Sequence, residues 1–229
     1  MNPTESSLVL LTVRGTLVPR SLEEARQLHN ETAGSAPGIA AARALGDLSH
    51  NVYAPSLRSK QSTAKEGELL FLDRWDDPQG IMQFFGNAHV QEQGGKMFVQ
   101  KEPTIWMPAR GAFAYALPAP AAKSERCVGM IRGPIASPEK AIEIFAAADK
   151  KGQRDARRRG LLSHELFIKL RAPGDDSPLE LLGLDLFCDF AGMSEHYADP
   201  THMSPLRAAF SGPAQPTAWE AAPGQWSEW

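Results

Sequence analysis

The run from Leu8 to Val13 is apolar, and it predicts a strand. Polar residues follow, and Ser21-Leu22-Glu23-Glu24 reads as a capping box that opens a helix carrying Leu22, Ala25 and Leu28 at helical spacing. A second strand is expected from Leu48 to Ala54, a polar loop from Ser56 to Gly67, and a third strand from Leu69 to Trp75. Asp77-Pro78 then gives an N-cap and first-turn pair for a second helix bearing Ile81, Met82, Phe84 and Phe85. A short last strand falls near Thr104 to Met107. In the third strand Leu69 and Phe71 point one way and Leu70 and Leu72 the other, so both faces of its sheet call for burial.

The same order, β-α-β-β-α-β, is then written again. Gly46-Asp47-Leu48-Ser49-His50 returns as Gly160-Leu161-Leu162-Ser163-His164. Leu72-Asp73, Asp77 and Gly80 return as Leu184-Asp185, Asp189 and Gly192, and Pro103-Thr104-Ile105-Trp106 as Pro216-Thr217-Ala218-Trp219. Val13-Arg14-Gly15 matches Ile131-Arg132-Gly133. So long a period marks a duplicated domain rather than a solenoid. The expected division is 1–117 and 125–229, joined by a linker at 118–124, with a tail from Ala221 whose tryptophans pack onto a neighbouring surface. Each half is expected to be a ferredoxin-like split βαβ unit. The expected fold class is α+β, with the two antiparallel sheets facing each other in a barrel within one chain, a pseudo-dimer able to pair further as a homodimer.

Composition narrows the function classes. Apolar residues make up 42% of the 229 and charged residues 22%, as in globular proteins. The formal net charge of −3 argues against nucleic acid as a partner. No apolar run is long enough to span a bilayer, residues 1–7 lack the features of a signal peptide, and Cys127 and Cys188 sit in no metal or redox spacing. A cytoplasmic protein without a bound metal is expected. Gly-rich phosphate loops, HExxH and G-x-S-x-G are absent, so nucleotide cofactors are not expected.

The candidate chemistry lies in duplicated polar residues. His50 and His164 share strand faces with apolar neighbours, Leu48 and Val52 or Leu162 and Leu166, and so point into a core or a cavity. There an imidazole serves as general acid or base, or is a structural histidine bonded to Ser49, a backbone group or a helix. Arg14 and Arg132 close the first strand of each copy; a guanidinium there anchors an anion, or else pairs with Asp73 and Asp185. His89 and His202 match at the end of the second helix, where a histidine complements the dipole. His29 and His196 have no duplicate and are expected at the surface. Trp75, Phe71, Phe84, Phe85 and Trp106 are either core or the wall of an aromatic cavity. The second copy alone carries Lys150, Lys151, Arg154, Arg157, Arg158 and Arg159, either a solvated helix end and loop or a face for an anionic substrate or acidic partner.

The run Glu68-Leu69-Leu70-Phe71-Leu72-Asp73-Arg74-Trp75, followed by an Asp-capped helix and His89, resembles the dimeric α+β barrel superfamily, in particular its antibiotic-biosynthesis-monooxygenase-like families. In the second copy Phe187 replaces the Trp and His202 follows after one inserted residue. The resemblance implies a cofactor-free enzyme with a small-molecule substrate. Its leading activity is monooxygenase-like oxidation of an aromatic or polyketide-like compound. A base, His50 or His164, would deprotonate a phenol, Arg14 or Arg132 would stabilise the anion, and Trp75, Phe71, His89 and His202 would shape the pocket. A cofactor-free isomerase, cyclase or lyase would use the same residues. The superfamily also implies a haem alternative, of chlorite-dismutase-like or haem-degrading type with a cavity histidine as axial ligand, and a non-catalytic binding module is a further alternative.

Overall fold

The strands form along the mainly apolar stretches of the chain. In the computed structural model, which describes residues 8–116 and 126–229, they belong to two units. The first holds 8–55, Lys65–Met107 and Ala222–Trp229; the second holds Ser56–Ala64 and the described part of Pro108–Ala221. The segments after Met107 and after Ala221 therefore each belong to the unit built mainly from the other half of the sequence. The expected linker at 118–124 lies outside the described residues, as do residues 1–7.

In the first unit the elements are β1 (Val9–Leu17), α1 (Leu22–Glu31), α2 (Ala36–Ala44), β2 (Asp47–Pro55), β3 (Glu68–Trp75), α3 (Pro78–Phe85), α4 (Ala88–Met97) and β4 (Phe98–Pro108). Its antiparallel sheet runs β4-β1-β3-β2. Ser21 caps α1 by accepting the Glu24 N–H, while Glu24 reaches back to the Arg20 N–H. Two helices go beyond the expected order. Ser35 before Ala36-Pro37 starts α2, and Asn87 starts α4. The last strand is also longer than expected.

One face of this sheet carries Val9, Leu11, Val13, Val52, Leu69 and Trp75, packed with Ala25, Ala42 and Ile81 of the helices. The other carries Leu10, Leu70, Leu72 and Trp106, also buried, with the Trp106 indole donating to Thr12 Oγ1 at 2.9 Å. Both faces of β3 are thus buried, as its continuous apolar run requires.

The second unit repeats the plan with β5 (Tyr115–Ala116), β6 (Cys127–Pro134), α5 (Pro138–Arg158), β7 (Leu161–Lys169), β8 (Glu180–Phe187), α6 (Phe190–Ala198), α7 (Pro200–Leu206) and β9 (Gln215–Ala221). Its sheet order is β9-β6-β8-β7-β5. Ser137, Asp189 and Asp199 cap α5, α6 and α7. The basic segment expected at a helix end and loop is mostly helix, because α5 runs on for 21 residues where α1 has 10.

Candidate active site

Register decides which duplicated residues meet. His50 lies opposite Asp73 across β2 and β3, and His164 lies opposite Asp185 across β7 and β8. Directly opposed residues share a face. Each histidine therefore donates to its own aspartate: His50 Nδ1 to Asp73 Oδ1 at 2.7 Å, His164 Nδ1 to Asp185 Oδ1 at 2.6 Å. Arg14 is opposed to Leu70 and Arg132 to Leu182, on the other face of each sheet. The expected Arg14–Asp73 and Arg132–Asp185 pairs are therefore absent. Arg14 instead bonds Glu68 at 2.8 Å and Arg132 bonds Glu180 at 2.5 Å. For the same reason neither arginine joins the histidine of its unit.

A bulge in each histidine strand changes a second expectation. The register shifts between Asp47 and Ser49 and between Leu161 and Ser163. Leu48 is turned outward and is 50% exposed, and the buried positions before His50 and His164 are Asp47 and Leu161. Leu48 and Leu162 therefore do not share the histidine faces in the expected way. Both rings point to the helix-covered side of their sheets.

In the first unit His50 is fully enclosed. Its Nε2 lies 2.9 Å from His29 Nε2, and the two rings stack at 5.0 Å. His29, expected at the surface, is buried because α1 presents it to this spot. The Trp229 ring stacks on His50 at 4.7 Å, and its backbone pairs with that of His50. Phe71 packs against both histidines with its ring tilted by 55° to His29 and 59° to His50. Burial opposes protonation of His50, yet Asp73, Asp47 and Glu228 together raise its pKa above the ordinary value. Burial and the Asp73 charge push the Asp47 carboxyl up to about 8. Trp75 lies in the core against Phe84. His89 is exposed in the first turn of α4, not at a helix C-terminus, and does not reach His50's cluster.

The second unit opens onto a cleft. It is lined by Phe113, Tyr115, Asp149, Gly152, Gln153, Ala156, Leu161, His164, His196 and His202. Its water-accessible volume is about 10 Å³, about the room one water needs. Asp185 anchors the base of the cluster, accepting from the Tyr197 hydroxyl at 2.6 Å as well as from His164. His164 Nε2 lies 3.0 Å from Asp149 Oδ2, close enough for charge attraction but off the line of a hydrogen bond. Both atoms, with His196 Nδ1 and His202 Nδ1, are buried and without a hydrogen-bond partner among the described residues. Such groups are costly in an interior, and the ring nitrogens of His196 and His202 place two of them at one cleft without even an ionic partner.

The charges follow from these contacts. Burial lowers the His164 pKa, but Asp185 and Asp149 outweigh it and raise the value to about 10, so the ring is an imidazolium at neutral pH. Burial works against the Asp185 charge, and His164 nonetheless holds that carboxyl below its usual range. His196 goes the other way, lowered by burial to about 4, and burial also lowers His202. A protonated acid and two neutral imidazoles therefore border one small space.

Of the expected site residues, His164 and His202 come together here. His202 lies in the first turn of α7, not at a helix C-terminus, and approaches α5 over Gly152, where a β-carbon would stand 2.8 Å from its Nδ1. Asp149, Asp185, Tyr197 and His196 complete the group. His196 was expected at the surface, but α6 turns it inward. A signal for two of them was present: His196-Tyr197 stand where the constant spacing of the first repeat places Phe84-Phe85.

Neither sheet histidine offers a nitrogen to a haem iron. His50 uses both ring nitrogens on Asp73 and His29, and the Nε2 side of His164 is filled by Asp149. The haem alternative with His50 or His164 as axial ligand does not fit these residues. Among the described residues no group of three or more His, Cys, Asp or Glu is placed to hold a metal ion. No described helix is long and apolar enough to cross a membrane.

Comparison with solved structures extends over both units. An anthrone oxidase-like protein superposes with a TM-score of 0.64 at 12% identity, covering 95% of this chain and 92% of its own. A provisionally described monooxygenase from Fusobacterium nucleatum gives 0.60 at 11% identity, covering 96% and 94%. A mutant chlorite dismutase from Candidatus Nitrospira defluvii, in complex with cyanide, gives 0.55 at 11%, covering 96% and 93%. These proteins share the fold of this chain. At these identities the likeness carries the α+β fold alone. No protein-family model and no curated protein matches the chain.

Proposed function

We propose that the second unit is a cofactor-independent, monooxygenase-like enzyme that oxidises an activated hydroxyaromatic compound, with an anthrone as the working substrate. The observation that carries this reading is the His164–Asp185–Tyr197 group beneath a cleft bordered by the His164–Asp149 ion pair and by the unbonded ring nitrogens of His196 and His202. The anthrone oxidase-like neighbour supports the choice of substrate. The cleft has room only for the reacting CH₂ group, and the ring system lies outside it against Phe113 and Tyr115.

The roles differ from those expected from sequence. His164, already protonated, is the acid that stabilises an oxyanion rather than the base. Neutral His202 accepts the proton lost from the substrate. The resulting carbanion gives its electron pair to dioxygen and a C–O bond forms. Protonation gives a hydroperoxide, which loses water as its O–O bond breaks, so that CH₂ and O₂ become C=O and H₂O. The same reading treats the two units as diverged copies, the first keeping the His–Asp pair as a buried structural element.

Oxygen uptake with anthrone tests this. One O₂ should be consumed per anthraquinone formed. The rate should fall as the pH drops and His202 is protonated, and fall again through about pH 10 as His164 loses its proton. No uptake above the buffer rate for anthrone or related phenols would overturn the reading.

A further inference from the structure

We propose that the substrate of this cleft is an anion, a planar aromatic bearing a carboxylate that α5 binds while the reacting edge enters the cleft. The inference rests on the function proposed above for its location. It draws on the basic segment, which that function leaves unused.

Asp149, Gly152, Gln153 and Ala156 of α5 line the cleft. Lys150, Arg154 and Arg157 follow one another at i, i+4 and i+7, a stripe beside that lining face. All three are exposed, and none has a carboxylate partner among the described residues. Arg158 and Arg159 differ: they are bonded to Asp155 and to Glu195 and Asp199. The Arg157 guanidinium sits 4.3 Å over the ring of Tyr115, itself a cleft residue, which fixes a cation at the rim.

The stripe belongs to the unit with the open cleft and has no counterpart in the other. α1 reads Leu-Glu-Glu-Ala-Arg-Gln-Leu-His-Asn-Glu and ends before the corresponding turns. It also runs against the net charge of −3 for the whole chain. Inside the cleft the balance is reversed, since Asp149 and Asp185 face one imidazolium. A carboxylate is therefore repelled from the interior and attracted at the rim. That polarity orients the ligand, with its neutral reacting edge inward and its anionic end over α5.

The test is direct binding, followed by the fluorescence of 9-anthracenecarboxylate and of neutral 9-anthracenemethanol. The carboxylate should bind the wild-type protein about tenfold more tightly, since exposed ionic contacts add modestly one by one. Salt should weaken its binding and leave the alcohol unchanged. The variant carrying Lys150→Gln, Arg154→Gln and Arg157→Gln should lose the preference and keep its affinity for the alcohol. Equal binding of the two probes, no binding of either, or a preference that survives the triple change would overturn the proposal. Anion-selective binding without oxygen uptake would remove the oxidase reading and leave this one standing.

Discussion

Replacing Asp185 by alanine is expected to destabilise the protein by about 3–5 kcal/mol near neutral pH, the usual cost of stranding a buried charge. Asp185 holds two bonds of 2.6 Å, one to a buried imidazolium and one to a buried phenol. Its removal leaves Tyr197 without an acceptor and His164 with only the off-line contact to Asp149. The direction with pH is also fixed. His164 has a pKa of about 10 in the folded chain against an ordinary 6.5, so the folded state binds its proton more tightly. That stabilisation is complete below pH 6.5 and is lost as the pH rises through about 10. His196, lowered to about 4, contributes above pH 6.5 and loses its contribution as the pH falls through about 4. Urea unfolding of wild type and Asp185→Ala at pH 7 and pH 10 measures both effects. The gap should be wide at pH 7 and narrower at pH 10. A deficit below about 1 kcal/mol at pH 7 would place Asp185 among ordinary surface-grade pairs.

The second large effect is expected at Gly129, a position where alanine would normally be harmless or helpful in a strand. Gly129 lies opposite Asp185, and a β-carbon there would stand 2.2 Å from the Tyr197 ring and 2.3 Å from its hydroxyl oxygen. The ring has to leave, and its bond to Asp185 goes with it. Crowding costs about 1–3 kcal/mol, and a hydrogen bond to a charged group about 1.5–3 kcal/mol. A loss of roughly 3–5 kcal/mol is expected for Gly129→Ala. Combined with Tyr197→Ala, the two costs should fall well short of additive, because the clash disappears with the ring. Denaturant unfolding of the two single variants and the double variant checks this; Gly129→Ala with wild-type stability, or strict additivity, would contradict it. The first unit has Leu11 at the corresponding place opposite Asp73, and Phe84-Phe85 where the second has His196-Tyr197.

Most of the fold was legible because β3 and β8 are continuous apolar runs and the helices begin at Ser and Asp caps. The site was legible only in part. His164 and the duplicated Asp185 were both visible, but their pairing was not, since cross-strand register depends on a bulge that no residue in Asp47-Leu48-Ser49 announces. Without that register Asp73 and Asp185 were assigned to arginines that lie on the opposite face. Asp149 was hidden for another reason: only the extra length of α5 carries it to His164, and helix ends are poorly marked in a charged segment. His196 and His29 look like surface residues in isolation and are turned inward by helix packing. The enclosure of His50 by Trp229 joins residues from opposite ends of the sequence, a contact no local pattern encodes.

The most direct test compares oxygen uptake on anthrone by wild type, His164→Gln and His50→Gln, each below its own unfolding temperature. Loss of the oxyanion acid should slow His164→Gln by about a hundredfold or more. His50→Gln, which alters an enclosed pair in the other unit, should keep most of the rate. Equal loss in both, or a loss confined to His50→Gln, would contradict the assignment of the chemistry to the cleft of the second unit.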